Sequence, residues 1–483
     1  MAQPEKIVGK VIVTGVLRAL TPILIGAGEG EYIDIEVVKG YEGNRPYIPG
    51  TSLAGVLRAL WPKEELLQNQ NELLRFFWGG VQDSEAQSHI VVHDLIPNGN
   101  AVLTVRDGIR IDPEKGQVAP GAKYDYEVLD AGAEFNLIFE ITLRDRFKEG
   151  DFALFKKTLN RVTSELANGK VPVGAKTNNG FGRVTLHDAK SAWFSFPAHA
   201  ADWFRYRAAE KNSSVRTTLL ATLPDFLAGV EPFISRDTSF VISGHFKIKS
   251  SLIIGASPAD PAQPDKLHLT SNNQPILSGT SIKGAIRGRA EKILRTLAGD
   301  NPCVNQLMQK NFGYVPTDQQ GKKVRGKTQG VEKSRIVVEE TPLRNVGAEI
   351  QSRIRIDRFT GGVMAGGLFD SMPVWSDNAG GQEDDAIITM SIRNFCEESD
   401  AWLAGLLLLV LKDLWTEDLP IGGEKNVGRG ILQGISATVG RHGVEVGCLG
   451  VAGAVRGRQQ LENYVSKLHE KLAELRQSEV AHG

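Results

Sequence analysis

The sequence predicts an α+β fold built as two tandem ferredoxin-like domains, and three observations lead to it. First, the chain is an internal duplication: five blocks recur in the same order, at offsets that drift only from 229 to 248 residues. Second, each copy alternates strand, helix, strands, helix, the order of a split βαβ sheet with helices on one face. Third, 483 residues with 41% hydrophobic content supply cores for two to four domains.

The blocks justify the elements in turn. "VIVTGVLRALTPILIGA" from Val11 matches "FVISGHFKIKSSLIIGA" from Phe240, each a long strand running into a loop. "IPGTSLAGVLRAL" then matches "LSGTSIKGAIRGR", with Gly50 and Gly279 again 229 apart. It reads as a turn and a helix start, capped by Thr51 or Ser52 and by Thr280 or Ser281. "SHIVVHD" from Ser88 matches "SRIVVEE" from Ser334. "RIDPEKGQVAPGAKYD" from Arg110 matches "RIDRFTGGVMAGGLFD" from Arg355. "GAKTNNGFGRV" from Gly174 matches "GGEKNVGRGIL" from Gly422 and closes each copy with a glycine-rich hairpin. In copy one the pattern predicts strands over 7–20 and 134–143 and helices over 52–60 and 152–166. In copy two the second helix, 401–414, is far more apolar and should be covered on more sides. An insertion of 17 residues in copy two holds the basic stretch "GKKVRGKTQG", expected to be a mobile loop. The domains are therefore placed at 1–196 and 237–441. A connector with one or two short helices spans 197–236. A glycine-rich linker and a helix packed on its own domain fill 442–483.

Net charge is −1, so composition implies neither a nucleic-acid nor a membrane partner, although a local basic groove fits a neutral total. Three widely spaced cysteines give no disulfide framework and no zinc pattern, which favours a reducing, cytoplasmic setting. The N-terminal stretch lacks a signal-peptide run, and the longest apolar run, ten residues from Trp402, is too short for a bilayer. His89 and His93 lie in a strand-like stretch rather than a zinc helix, and no Walker or nucleophile-base motif stands out.

What remains points to a polyanion. Each helix start offers backbone N–H groups and hydroxyls, with Lys283 in the first turn of copy two and Arg58 and Arg287 about two turns in. The glycine-rich hairpins carry Lys176, Asn178, Asn179 and Arg183 in copy one, and Lys425, Asn426 and Arg429 in copy two. Arg18, Lys247 and Lys249 interrupt the apolar pattern of the first strands, on a face that such sheets use for RNA. Duplication would also copy a plain cap, a surface arginine and a steric glycine, so each feature has a structural reading too. Carboxylates precede both helix starts: Glu29, Glu31, Asp34 and Glu36 in copy one, Asp260 and Asp265 in copy two. Such a group can hold a divalent ion or orient a 2′-hydroxyl. The ungapped partner of Asp34 is Gln263, and Asp265 needs a two-residue shift.

The ordered set "IGAGEGEYIDIEVV", "PYIPGTSLAGVLR", "SHIVVHD", "RIDPEKGQVAPGAKYDYEVL" and "GAKTNNGFGRV" resembles the RAMP superfamily of CRISPR proteins. More narrowly it resembles the backbone subunits of type III effector complexes, and two copies in one chain are similar to the fused subunits of type III-D complexes. The resemblance implies two RRM-like domains with thumb hairpins, to which the "RIDPEKG" and "RIDRFTG" segments would belong, stacked along a guide RNA (crRNA). It implies partners: crRNA, complementary target RNA, a large signalling subunit, a small subunit and other RAMP backbone subunits. It implies an RNA-guided endoribonuclease, active in the assembled complex, that uses Mg²⁺ or Mn²⁺ and neither zinc nor a nucleotide cofactor. Asp34 would take the catalytic and metal-holding role, with Asp265 its counterpart. Thr51, Ser52, Arg58, Thr280, Ser281, Lys283, Arg287 and the glycine hairpins would hold guide backbone. The alternatives are a non-catalytic crRNA scaffold, or a guide-processing RNase using a histidine such as His187 near the glycine loop.

Overall fold

A computed structural model of the protein describes residues 5–28, 33–40, 44–62, 74, 77–79, 87–99, 101–111, 118–119, 122–147, 149–210, 212–258, 260, 262–299, 301–316, 330–377, 381, 383–450 and 453–480. The basic stretch 321–329, Glu29, Glu31 and the first thumb tip fall outside these residues. Two compact units emerge. The first is Met1–Val105, Glu127–Ala175 and Gly182–Ser235; the second is Arg106–Tyr126, Lys176–Phe181 and Arg236–Gly483.

The first unit is built from β1 (Ile7–Ala19), α1 (Gly50–Arg58), β2 (Ile90–Val92), β5 (Glu134–Arg144), α2 (Glu149–Ala167) and β6 (Val184–Ser195), while β3 (Leu103–Gly108) and β4 (Tyr124–Leu129) pair as a separate ribbon. Its sheet runs β2-β5-β1-β6, with every pair antiparallel. Numbered along the chain, these four strands lie 2-3-1-4, the ferredoxin-like order expected from the repeat pattern. Period-two patterning sends Val11, Val13 and Leu17 of β1 and Phe135, Leu137, Phe139 and Ile141 of β5 to one face. There they meet Leu53 and Leu57 of α1 and Phe155, Leu159, Val162 and Leu166 of α2.

The other face of this sheet is not an open RNA platform throughout. The connector forms α3 (Ala200–Ala208) and α4 (Ser213–Ala221). Tyr206 of α3 packs with Ile12 and Phe194, and Trp203, Leu219 and Leu220 surround them. Lys10 pairs with Glu140 at 2.6 Å beneath Trp203. Helices thus flank this sheet on both sides, because Ile12 and Phe194 give its second face an apolar patch that needs cover.

The second unit repeats the plan with β7 (Phe240–Ile248), β8 (Lys266–His268), α5 (Gly279–Ala298), α6 (Pro302–Phe312), β9 (Ile336–Val338), β10 (Gln351–Ile356), β11 (Val363–Met372), β12 (Ala386–Ile392), α7 (Glu397–Trp415), β13 (Leu432–Arg441), β14 (Val444–Leu449) and α8 (Arg458–Val480). Its main sheet runs β9-β12-β7-β13-β14 and ends on the short strand Val455–Arg456, the same 2-3-1-4 order with two strands added at one edge. α7 is buried along nearly its whole length, as its composition predicts, because α8 covers the side that the sheet does not. Leu461, Tyr464, Leu468 and Leu472 of α8 enter that core. A Cβ on Gly405 would lie 2.2 Å from the Tyr464 carbonyl oxygen, so glycine lets α7 and α8 touch backbone to backbone. None of the described helices is long and apolar enough to cross a membrane.

Candidate functional site

The two aspartates occupy the same place in the two repeats. Val37 pairs with Gly26, and His268 pairs with Gly255. Gly26 and Gly255 are 229 residues apart, whereas Val37 and His268 are 231 apart. Strand pairing therefore absorbs the two-residue shift and aligns Asp265 with Asp34, each three residues before the paired residue. Gln263, the ungapped partner, is not the equivalent. Both aspartates are exposed. The segment after Asp34 is pinned by buried Glu127: its amide donates to the Ile35 carbonyl at 2.9 Å. Its carboxylate accepts from Val37 N at 3.1 Å and from Lys39 Nζ at 3.0 Å. Asp265 has a structural bond of its own, accepting from Asp370 N of β11 at 3.0 Å. Sequence reading missed Glu127; its only signal was an acidic residue inside an apolar strand.

The helix starts correct the capping expectation. α1 begins at Gly50 and α5 at Gly279, with Pro49 and Ser278 at the cap positions, and neither makes a side-chain cap bond. Thr51, Ser52, Thr280 and Ser281 thus stand inside the first turn, and Ser278 Oγ and Thr280 Oγ1 bond each other at 2.7 Å. Asp94 Oδ1 accepts from Gly50 N at 2.7 Å, so an anionic side chain already complements the start of α1. The repeated arginines play the same structural part in both copies, each tying its helix to a glycine carbonyl. Arg58 Nη2 reaches Gly79 O at 3.4 Å, and Arg287 Nη1 reaches Gly313 O at 3.2 Å. Both are partly buried.

Lys283 is a larger correction. It is 8% exposed, and its ammonium donates to Asn178 O at 3.2 Å, Ser334 Oγ at 2.8 Å and Ile336 O at 2.8 Å. Its amino group is engaged inside the second unit rather than offered to a phosphate. Burial, with Arg393 and Arg287 nearby, pulls its pKa down to about 7.

The glycine hairpins match in detail. Lys176 and Glu424 both adopt left-handed backbone, followed by a 3₁₀ turn and then Gly180 or Gly428 at φ 84°. A Cβ on Gly182 would lie 1.9 Å from Val173 O, and one on Gly430 1.8 Å from Ile421 O. These glycines are required by backbone contact, which is the structural reading of the motif. Lys176 sits over the Tyr126 ring at 3.2 Å and donates to Tyr124 Oη at 3.0 Å. Asn178 Nδ2 donates to Ser334 O at 3.1 Å, and Asn179 is half-buried. Arg183 N donates to Thr21 Oγ1. In repeat two, Lys425 and Asn426 are exposed, whereas Arg429 is 2% exposed and bonds Gln351 Oε1 at 2.6 Å and Ser371 Oγ at 3.3 Å.

Other cations do lie at the surface. Arg18 is exposed beside Glu134, and Lys247 Nζ reaches Gly381 O. The β10–β11 ribbon exposes Arg355 and Arg358 together with Ile354, Ile356, Leu368 and a fully exposed Phe359 near its turn. These residues were not singled out from sequence. The signal was there: "RIRIDRF" alternates cations and apolar groups with neither set needed in a core. His187 stands mid-strand opposite Val16, outside the glycine loop. His89 is buried against Phe147 and Arg146, and burial followed by Arg146 lowers its pKa. Among the described residues no three His, Cys, Asp or Glu side chains converge as a metal site. An exposed carboxylate such as Asp34 is the hard oxygen donor that Mg²⁺ or Mn²⁺ takes, and RNA oxygens and water would have to complete the shell.

The model of the RAMP superfamily matches residues 16–185 and 245–433, more than half of the chain. No curated protein matches it.

Proposed function

The chain belongs to the RAMP superfamily, and from that premise we propose that it is a crRNA-binding backbone subunit of a type III CRISPR ribonucleoprotein, with two backbone domains in one polypeptide. The carrying observation is that both repeats keep an aspartate, Asp34 and Asp265, three residues before the residue that pairs back to the loop glycine, Gly26 or Gly255. Arg18, Lys247, Arg355 and Arg358 are the surface cations suited to phosphate, and exposed Phe359 is suited to a base face. Binding through backbone and stacking tolerates any sequence, and guide–target pairing then supplies specificity.

The finer proposal is cleavage of the paired target RNA. A target nucleotide turned out of the duplex places its 2′-oxygen in line with the adjacent phosphorus. The 2′-hydroxyl gives up its proton as the 2′-O–P bond forms, the P–O5′ bond breaks and the leaving oxygen takes up a proton, and the products are a cyclic phosphate and a 5′-hydroxyl. Asp34 would orient the 2′-hydroxyl or hold the divalent ion, which supplies charge to the phosphate oxygens. Glu127 acts as a positioning residue for Asp34 through Ile35 and Val37.

The test assembles the complex on guide RNA with complementary target and Mg²⁺ or Mn²⁺, comparing Asp34→Ala, Asp265→Ala and the double variant. Loss of one product per substitution supports two cutting sites. If every product persists in the double variant while guide binding is intact, this subunit is a non-catalytic scaffold.

A further inference from the structure

Four cations are anchored around the start of β9 in the second unit, and two of them are unpaired. Ser334 is buried there, and its Oγ accepts from Lys283 Nζ at 2.8 Å. Arg287 Nη1 donates to Gly313 O at 3.2 Å, and a Cβ on Gly313 would sit 3.0 Å from Ser334 N. Arg393 N donates to Arg335 O at 3.0 Å, which carries the β9–β12 ladder one step past Ile336 and Ile392. Lys333 directly precedes Ser334.

The nearby carboxylates are committed elsewhere. Asp400 accepts from Arg335 Nη1 at 2.7 Å, and Glu291 is held by Arg295 at 2.8 Å. Glu332 is exposed, and among the described residues neither the Arg393 guanidinium nor the Lys333 ammonium meets a carboxylate or a hydrogen-bond acceptor. Arg393 is nonetheless half-buried. Burial lowers its pKa, and burial followed by Arg393 lowers that of Lys333. Drawing charged donors out of water without a partner costs stability, and an anion that supplies oxygens removes that cost.

The cluster is not common to the two repeats. Ser88 matches Ser334, so the counterpart of Lys333 is Gln87, and that of Lys283 is Ala54. Thr142 N donates to His89 O at 3.0 Å just as Arg393 N does to Arg335 O, so Thr142 stands where Arg393 does. Only Arg287 has a cationic counterpart, Arg58. Three of the four cations therefore belong to copy two alone, which separates them from any site that both repeats share.

We propose that Arg393 and Lys333 bind a phosphomonoester, either the terminal phosphate of an RNA strand or a free nucleotide. Such a group carries about −1.5 to −2 charges at pH 7, more than a backbone diester, and so matches two unpaired cations. The planar guanidinium offers two parallel donors to phosphate oxygens, and the ammonium adds a point charge. Lys283 and Arg287 stay on their protein acceptors and contribute field rather than contacts. The site is separate from guide-backbone binding and from target cleavage, and is tested without either.

Equilibrium dialysis of the purified full chain compares a short oligouridine carrying a 5′-phosphate, a 3′-phosphate or hydroxyls at both ends, and compares 5′-AMP with adenosine. A phosphorylated probe should bind at least about tenfold more tightly than its hydroxyl counterpart, as one charge-assisted hydrogen bond provides. Lys333→Gln, on an exposed residue, and Arg393→Gln should each remove that preference and change the affinity for the hydroxyl probe far less. Lys471→Gln, on α8, should leave the preference intact. A preference seen with 5′-AMP shows that a nucleotide suffices, whereas one confined to the oligouridines assigns the site to an RNA end. No preference in either comparison, or a preference that survives both Lys333→Gln and Arg393→Gln, would overturn the proposal. These probes pair with no guide, so that failure would leave the guide-binding and cleavage readings untouched.

Discussion

Removing the charge of Lys283 should flatten the pH dependence of the second unit's stability. The native ammonium titrates near 7, against 10.5 for an ordinary lysine, because burial, Arg393 and Arg287 all oppose its charge. Between those values the folded state holds the group neutral while the unfolded chain holds it protonated. Unfolding then takes up a proton, so stability rises with pH by at most about 1.4 kcal/mol per unit, the limit for one group. Below about pH 7 both states are protonated and the contribution is flat, at its least favourable. Lys283→Met keeps the apolar stem and removes the titration. Urea unfolding at pH 7, 8, 9 and 10, read by pulsed hydrogen exchange of Ile336–Val338 and Ala386–Ile392, isolates this unit. The difference between wild type and variant should grow in favour of wild type with each step in pH. Parallel curves would refute the reasoning and show that Asn178, Ser334 and Ile336 hold the charged form fully at neutral pH.

Four further outcomes follow from named contacts. Arg106→Ala breaks the buried pair with Glu340 and should cost about 3–5 kcal/mol in denaturant unfolding, whereas Arg106→Met with Glu340→Leu should recover most of it. Gly182→Ala and Gly430→Ala put a methyl within 2 Å of a carbonyl oxygen at positive φ, so each should lower the thermal midpoint of its own unit, with little change in the other. Glu127→Gln should reduce target cleavage while leaving guide affinity unchanged, measured by product formation and filter binding on the same preparation. Arg58→Ala and Arg287→Ala should each cost about 1 kcal/mol of stability, a typical net hydrogen bond, and leave the salt slope of guide binding unchanged. A slope reduced by about one per substitution would return these arginines to the phosphate.

The repeat offsets and the period-two runs of β1, β5, β7 and β12 made the two ferredoxin-like sheets legible in sequence. Strand alternation is a local property and survives without knowledge of what packs on top. So were the α7 cover and the packed α8, because a helix apolar all round must be enclosed. The site was less legible, and for a physical reason. Whether a lysine is a surface cation or a buried one depends on what lies over it: Lys283 and Arg58 look alike in the sequence, but Asn178 comes from 105 residues away to cover the first. The capping hydroxyls failed similarly, since where a helix begins was decided by Gly50 packing against Val92 rather than by Thr51 or Ser52.

By itself the sequence determined the duplication, the order of elements in each copy and the family. These are written in pattern and spacing. Only tertiary structure decided that Asp265 stands where Asp34 does, because hydrogen-bonded strand register, not residue count, sets equivalence across a loop that changes length. It alone decided that Lys283 is buried, because Asn178, Ser334 and Ile336, distant in the chain, close over its amino group.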